Sequence, residues 1–117
     1  MAGIHYIQIK GNLWLEVAGL QIGKGRARLL EKIKEQGSIS KAAQSLKISY
    51  RQAWTMVNEM NRGATKKIVI KTIGGSEGGG TILTTEGENL LKQFHQMEIE
   101  FQKFKTTFSK ELNKNNK

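Results

Sequence analysis

Apolar positions alternate at the start of the chain and then change period. Ile4, Tyr6, Ile7 and Ile9 precede Lys10-Gly11-Asn12, and Leu13, Leu15 and Val17 follow it. That spacing predicts two strands joined by a turn at Lys10-Gly11-Asn12, with a third extended piece at Leu20-Gln21-Ile22. From Arg26 to Gln36 the apolar residues Ala27, Leu29, Leu30 and Ile33 recur at helical intervals, and Gly37 supplies a stop. Two shorter helices are expected next. The first covers Lys41 to Lys47 with Ser40 as N-cap; the second is opened by Ser49 and Gln52 as a capping box and runs to about Asn61. The link between them is only three or four residues, the spacing of a helix-turn-helix. Ala43, Leu46, Ile48, Ala53 and Val57 fall where two steeply crossing helices bury them, and Met60 is core by the same spacing.

Residues 68–73 are rich in β-branched side chains and predict a strand; Thr81-Ile82-Leu83-Thr84 predicts its return across the glycine-rich loop Gly74 to Gly80. A hairpin directly after the second helix of a helix-turn-helix is a wing. Thr85 and Glu88 then predict a capping box for a long helix reaching Leu112. Along it Leu90, Phe94, Met97, Phe101, Phe104 and Phe108 are spaced 4, 3, 4, 3 and 4, and every Phe of the chain lies in this seam. Alternation of that kind gives a narrow apolar stripe, and such stripes in water need a partner. The six residues are therefore expected at a homodimer interface, ahead of a polar tail at 113–117.

Composition narrows the classes. At 117 residues the chain suits one domain, and the absence of Cys removes disulfides, thiolate catalysis and Cys-based metal sites. No run approaches the ~20 apolar residues of a membrane span, and Met1 to Tyr6 lacks the pattern of a signal peptide. A cytoplasmic protein with no membrane partner is expected. The net charge of +9 is confined to one stretch: residues 24–71 hold twelve basic and three acidic residues, while the flanks are balanced. A localised basic surface attracts polyanions and speeds encounter with nucleic acid.

The second helix of the motif is expected in the major groove of double-stranded DNA. Arg51 offers a bidentate fork to guanine, Gln52 pairs with adenine, and Tyr50 and Thr55 reach base edges or phosphates, with Asn58 one turn further on. The plainer reading keeps Gln52 as capping partner and Arg51 on phosphate. Ser38, Ser40 and Lys41 at the first helix suit phosphate oxygens, Ser49 at the start of the second is also expected at the DNA interface, and Lys66, Lys67 and Lys71 flank the wing as electrostatic supports. Trp54 reads as core or near-core, against the first strand pair, rather than as a stacking platform. No enzyme is read here: His5 and His95 are isolated, Glu98 and Glu100 have no paired acid, and Gly74 to Gly80 lacks the Gly-Lys-Ser/Thr ending of a phosphate-binding loop. No cofactor or metal is expected.

The stretch Gly37-Ser38-Ile39-Ser40-Lys41-Ala42-Ala43, then Ile48-Ser49-Tyr50-Arg51-Gln52-Ala53-Trp54 and Asn58-Glu59-Met60-Asn61, resembles the N-terminal winged-helix domain of ModE-type molybdate-responsive transcriptional regulators, itself similar to the DNA-binding half of LysR-type regulators. The glycine-rich wing with Leu83-Thr84 and Gly87 is similar to the same family. The resemblance covers roughly residues 26–110 and implies a winged helix that dimerises through a long helix and binds DNA. With the N-terminal β-hairpin that the alternation predicts, the expected fold is α+β, a winged helix-turn-helix with an N-terminal β-hairpin and a long C-terminal dimerisation helix. Residues 1–85 are then expected to form the DNA-binding part and 86–117 the dimerisation helix and tail. The function implied is sequence-specific DNA binding by a homodimeric transcriptional regulator lacking the molybdate-sensing domain; the alternative is a winged-helix protein-interaction module that does not read DNA. Three departures stand out. Family members usually continue into molybdate-binding domains, and no molybdate site is expected in this chain. Lys47 occupies the turn where the family favours Gly, and a left-handed conformation there carries strain. Ser76-Glu77 occupies the wing tip where a basic residue is common.

Overall fold

The computed structural model describes residues 6–73 and 80–114. Its elements run β1 (Leu15–Val17), β2 (Leu20–Ile22), α1 (Lys24–Gln36), α2 (Ile39–Leu46), α3 (Tyr50–Gly63), β3 (Val69–Lys71), β4 (Thr81–Leu83) and α4 (Thr85–Leu112). They divide into two compact units, one spanning Trp14–Phe94 and one made of residues 1–13 with 95–117; α4 begins in the first and continues into the second.

The larger unit is the winged helix. β1 and β2 pair antiparallel, Leu15 opposite Ile22 and Val17 opposite Leu20. Their turn is Ala18-Gly19, not Lys10-Gly11-Asn12 as the alternation suggested. Ala18 and Gly19 both take positive φ, 49° and 84°, the geometry of a two-residue turn whose twist matches the strands it joins. This register buries Ile22 at 1% exposure, while the alternating residues 6–13 form no strand and belong to the other unit.

α1 buries Ala27, Leu29, Leu30 and Ile33 and stops at Gly37, whose left-handed conformation lets its N–H donate to the Ile33 carbonyl at 2.8 Å. α2 starts earlier than its polar pattern suggests. Ser38, not Ser40, is the N-cap, accepting from the Lys41 amide at 3.1 Å, and this places Ile39, Ala42 and Ala43 together in the core. Lys47 ends α2 in the left-handed region, φ 58° and ψ 39°, as its place in the turn implied. Ser49 caps α3 by accepting from the Gln52 amide at 3.0 Å. Ala53, Val57 and Met60 bury one face of α3, and Arg26 of α1 donates to Glu59 of α3 at 2.7 Å.

β3 and β4 pair antiparallel, Val69 opposite Leu83 and Lys71 opposite Thr81. The loop expected from Gly74 to Gly79, with Ser76 and Glu77 at its tip, lies outside the described residues. α4 is opened by Thr84 rather than Thr85: the Thr84 hydroxyl accepts from the Gly87 amide at 3.1 Å and donates to the Lys67 carbonyl at 2.7 Å. One cap thus fixes both the start of α4 and the strap entering β3. Leu91 and Phe94, on the first turns of α4, are buried in this unit.

In the smaller unit, the Asn113 side chain brackets Ile7, accepting from its amide and donating to its carbonyl, both at 2.8 Å. Phe101, Phe104 and Phe108 stack along α4 with centroids 6.2 and 5.6 Å apart. No helix among the described residues is long and apolar enough to cross a membrane.

Candidate nucleic-acid interface

The N-terminal ends of α2 and α3 and the paired strands β3 and β4 converge on one side of the winged-helix unit. They enclose a cleft of 350 Å³ lined by Gly37, Ser38, Ile39, Ser40, Tyr50, Lys71, Thr72, Gly80 and Thr81. Four of the residues proposed from sequence are therefore neighbours here: Ser38, Ser40, Tyr50 and Lys71. The Ser38 hydroxyl accepts the Lys41 amide and keeps its own proton for an incoming acceptor. The start of α2 also directs unpaired backbone amides outward, which favours negative charge.

Beyond the cleft, α3 presents Arg51, Gln52, Thr55 and Asn58, all exposed, on the side away from its buried Ala53, Val57 and Met60. Arg51, Thr55 and Asn58 are spaced at i, i+4 and i+7 and share one stripe. Ser49 is spent on capping. No hydrogen bond from the Gln52 side chain returns to the Ser49 backbone among the described residues, so its amide is free to point outward. Lys41 is exposed beside Ser40. Lys66 and Lys67 are exposed on the strap between α3 and β3. Lys66 lies 4.0 Å from Glu86, a loose pair with 75% of its side chain open to solvent.

Trp54 is half-buried, in keeping with its near-core spacing. Its ring lies under the Lys71 ammonium, 5.2 Å from the ring centroid. A cation held over an indole loses freedom and keeps its charge, so a residue of α3 fixes a lysine of β3 at the mouth of the cleft. Periodicity marks Trp54 only as apolar, and nothing local announces the partner seventeen residues later. Nor does any local pattern announce what the Asn61 side chain does. Its side chain accepts from the Ile68 and Val69 amides at 2.9 and 3.1 Å and donates to the Val69 carbonyl at 2.9 Å.

The proposed dimer seam is divided. Phe94, expected at an interface, is only 2% exposed inside the winged-helix unit; it is a core residue with no surface left for a partner. Leu90 is half-buried in the same unit, lining an apolar cleft with Ile22, Met60 and Ile68. Met97 and Phe101 are half-buried, and Phe104 and Phe108 are 51% and 43% exposed. A 4-3 spacing cannot separate the turn that packs on its own domain from the turns that do not.

No family model matches the chain. The chain is 38% identical over 95 residues to the molybdenum transport protein ModE of Azotobacter vinelandii, covering 81% of this chain and 35% of that protein. It is 38% identical over 99 residues to the molybdenum-pterin-binding protein MopB of Rhodobacter capsulatus, covering 85% and 37%. It is 40% identical over 79 residues to the transcriptional regulator ModE of Haemophilus influenzae, covering 68% and 31%. The chain thus spans about a third of the length of the curated relatives it matches. Among solved structures, a MepR mutant of S. aureus bound to an oligodeoxyribonucleotide superposes with a TM-score of 0.58 at 16% identity, covering 74% of this chain and 64% of that one. The multiple antibiotic resistance repressor MarR does so with a TM-score of 0.56 at 19% identity, covering 80% and 64%. At such identities these two support the fold alone, and that fold is the winged helix. Sequence and fold together show that the chain resembles the N-terminal winged-helix DNA-binding domain of ModE-type molybdate-responsive transcriptional regulators.

Proposed function

We propose that the chain binds double-stranded DNA in a sequence-specific manner as the DNA-binding part of a homodimeric, cytoplasmic transcriptional regulator. The observation that carries this reading is the exposed stripe of Arg51, Thr55 and Asn58 on α3, set beside the cleft of Ser38, Ser40, Tyr50 and Lys71. α3 enters the major groove; Arg51 and Gln52 meet base edges, and Tyr50 and Thr55 meet bases or the adjoining backbone. Ser38, Ser40, Lys41, Lys66, Lys67 and Lys71 engage phosphates. These supply most of the affinity and none of the sequence choice. Phe104 and Phe108, with Met97 and Phe101 beneath, are the surface on which a second copy docks. The reading assigns no catalytic role, cofactor or molybdate site to this chain.

Selection of bound duplexes from a random pool tests it. The expected product is a pseudo-palindrome whose half-sites lie one helical turn, or a simple multiple, apart. A pool that shows no enrichment after repeated rounds overturns sequence-specific binding and leaves a protein-interaction module.

A further inference from the structure

The smaller unit contains a second cleft, independent of the nucleic-acid reading. Its volume is 260 Å³, and its walls include Lys10 from the extended segment and Gln102, Lys105, Thr106, Ser109 and Lys110 from α4. The α4 residues recur at three- and four-residue steps and so form one face of the helix. Opposite them the segment 6–13 is held by Asn113, whose amide group brackets Ile7 and also donates to the Ser109 carbonyl at 2.6 Å. That tether brings Lys10, three residues on, to the mouth.

The chemistry of the lining is one-sided. It contains three lysines and no acidic residue. None of the three lysines has an ion pair among the described residues. Lys105 Nζ is placed 4.9 Å from the centroid of the Phe101 ring. Ser109 is 8% exposed, lines the cleft, and its hydroxyl has no hydrogen-bond partner among the described residues. Thr106 accepts from Gln102 at 3.3 Å and retains a hydroxyl proton to give. Lys110, in the last turn of α4, would be explained alone by the helix dipole; Lys10 and Lys105 would not. Three like charges around one small concavity repel each other, and hydroxyl donors among them suit an acceptor-rich anion.

We propose that this cleft binds a phosphate-type oxyanion, free or as the terminal phosphoryl group of a small molecule. The anion would take charge-assisted hydrogen bonds from Lys10, Lys105 and Lys110 and a hydroxyl bond from Ser109, and would fasten the segment 6–13 to α4.

The test is a titration of the ¹⁵N-labelled chain with inorganic phosphate at constant ionic strength. Saturable shifts at the amides of Lys10, Thr106, Ser109 and Lys110 are expected. Replacing Lys105→Gln and Lys110→Gln together should weaken binding by at least about tenfold, with the remaining spectrum unchanged as a check on folding. Equal shifts from potassium chloride, or a double variant that titrates like the wild type, would overturn the site. A duplex that shifts the same amides and competes with phosphate would overturn the small-molecule assignment and make the cleft part of the nucleic-acid surface. A duplex that leaves them unmoved, while phosphate still saturates, upholds it.

Discussion

Asn61 and Val69 are joined twice: the Asn61 amide donates to the Val69 carbonyl at 2.9 Å, and its carbonyl oxygen accepts from the Val69 amide at 3.1 Å. With a third bond from the Ile68 amide at 2.9 Å, the side chain imitates a neighbouring strand and ties the last turn of α3 to the first residues of β3. Val69 and Ile68 are both 3% exposed, so water cannot replace these bonds. Asn61→Ala leaves buried backbone groups unpaired and should destabilise the fold by about 1–3 kcal/mol. Urea unfolding measures the loss, and hydrogen exchange at Ile68 and Val69 should quicken more than exchange in α1.

Gly87 has a similar role on the other side of the strap. A Cβ at that position would overlap the Ile68 carbonyl oxygen, which is already engaged by the Thr84 amide at 3.0 Å. Gly87→Ala must move backbone rather than a flexible side chain, and a cost of roughly 1–3 kcal/mol is expected. A thermal melt of the variant checks it; unchanged stability would mean that α4 can shift without strain.

Trp54 and Lys71 act as a pair at the cleft. Lys71→Ala should remove about one phosphate contact and flatten the slope of log K against log salt by roughly 0.9. Trp54→Leu should reproduce part of that loss by freeing the ammonium, and the double variant should lose less than the sum. Additive losses would show that the ring does not position the lysine.

Arg51 separates reading from anchoring. If it meets a base edge, Arg51→Ala should cost about 1–3 kcal/mol on the selected duplex and much less on random duplex. Equal losses on both would place it on phosphate.

Phe104 is half exposed on α4, and its seam neighbours Phe101 and Phe108 stack with it. Phe104→Glu should convert a dimeric chain to monomers by light scattering, with little change in the helical signal. A wild-type chain that scatters as a monomer would rule out the proposed dimer.

Much of the fold was legible because its signals are local. The 3.6 period of Ala27, Leu30 and Ile33, the Ser49 cap and the 4-3 run on α4 depend on neighbours within one or two turns. The features that differ from the local pattern depend on contacts distant in sequence or on backbone conformation. Alternation around Gly11 looked like a hairpin, yet the turn depends on two successive positive φ values at Ala18-Gly19. The polar pattern points to Ser40 and Thr85 as caps where Ser38 and Thr84 serve, because a cap is fixed by which residues the core must bury, not by the polar pattern alone. In the candidate interface, the type and rough place of Ser38, Tyr50, Arg51 and Lys71 could be read from sequence. The meeting of Ser38, Tyr50 and Lys71 in one cleft could not, since it depends on how β3 returns past α3. The Asn61 clamp, the Trp54–Lys71 contact and the burial of Phe94 are long-range, and no single-chain periodicity encodes them.

In the proposed complex the exposed face of α3 meets the duplex. Amide shift mapping of the chain during titration with its selected duplex tests this most directly. The largest changes are expected at Tyr50, Arg51, Gln52 and Thr55, with lesser ones at Ser38, Ser40 and Lys71. Tight binding that leaves the amides of α3 unmoved would contradict it.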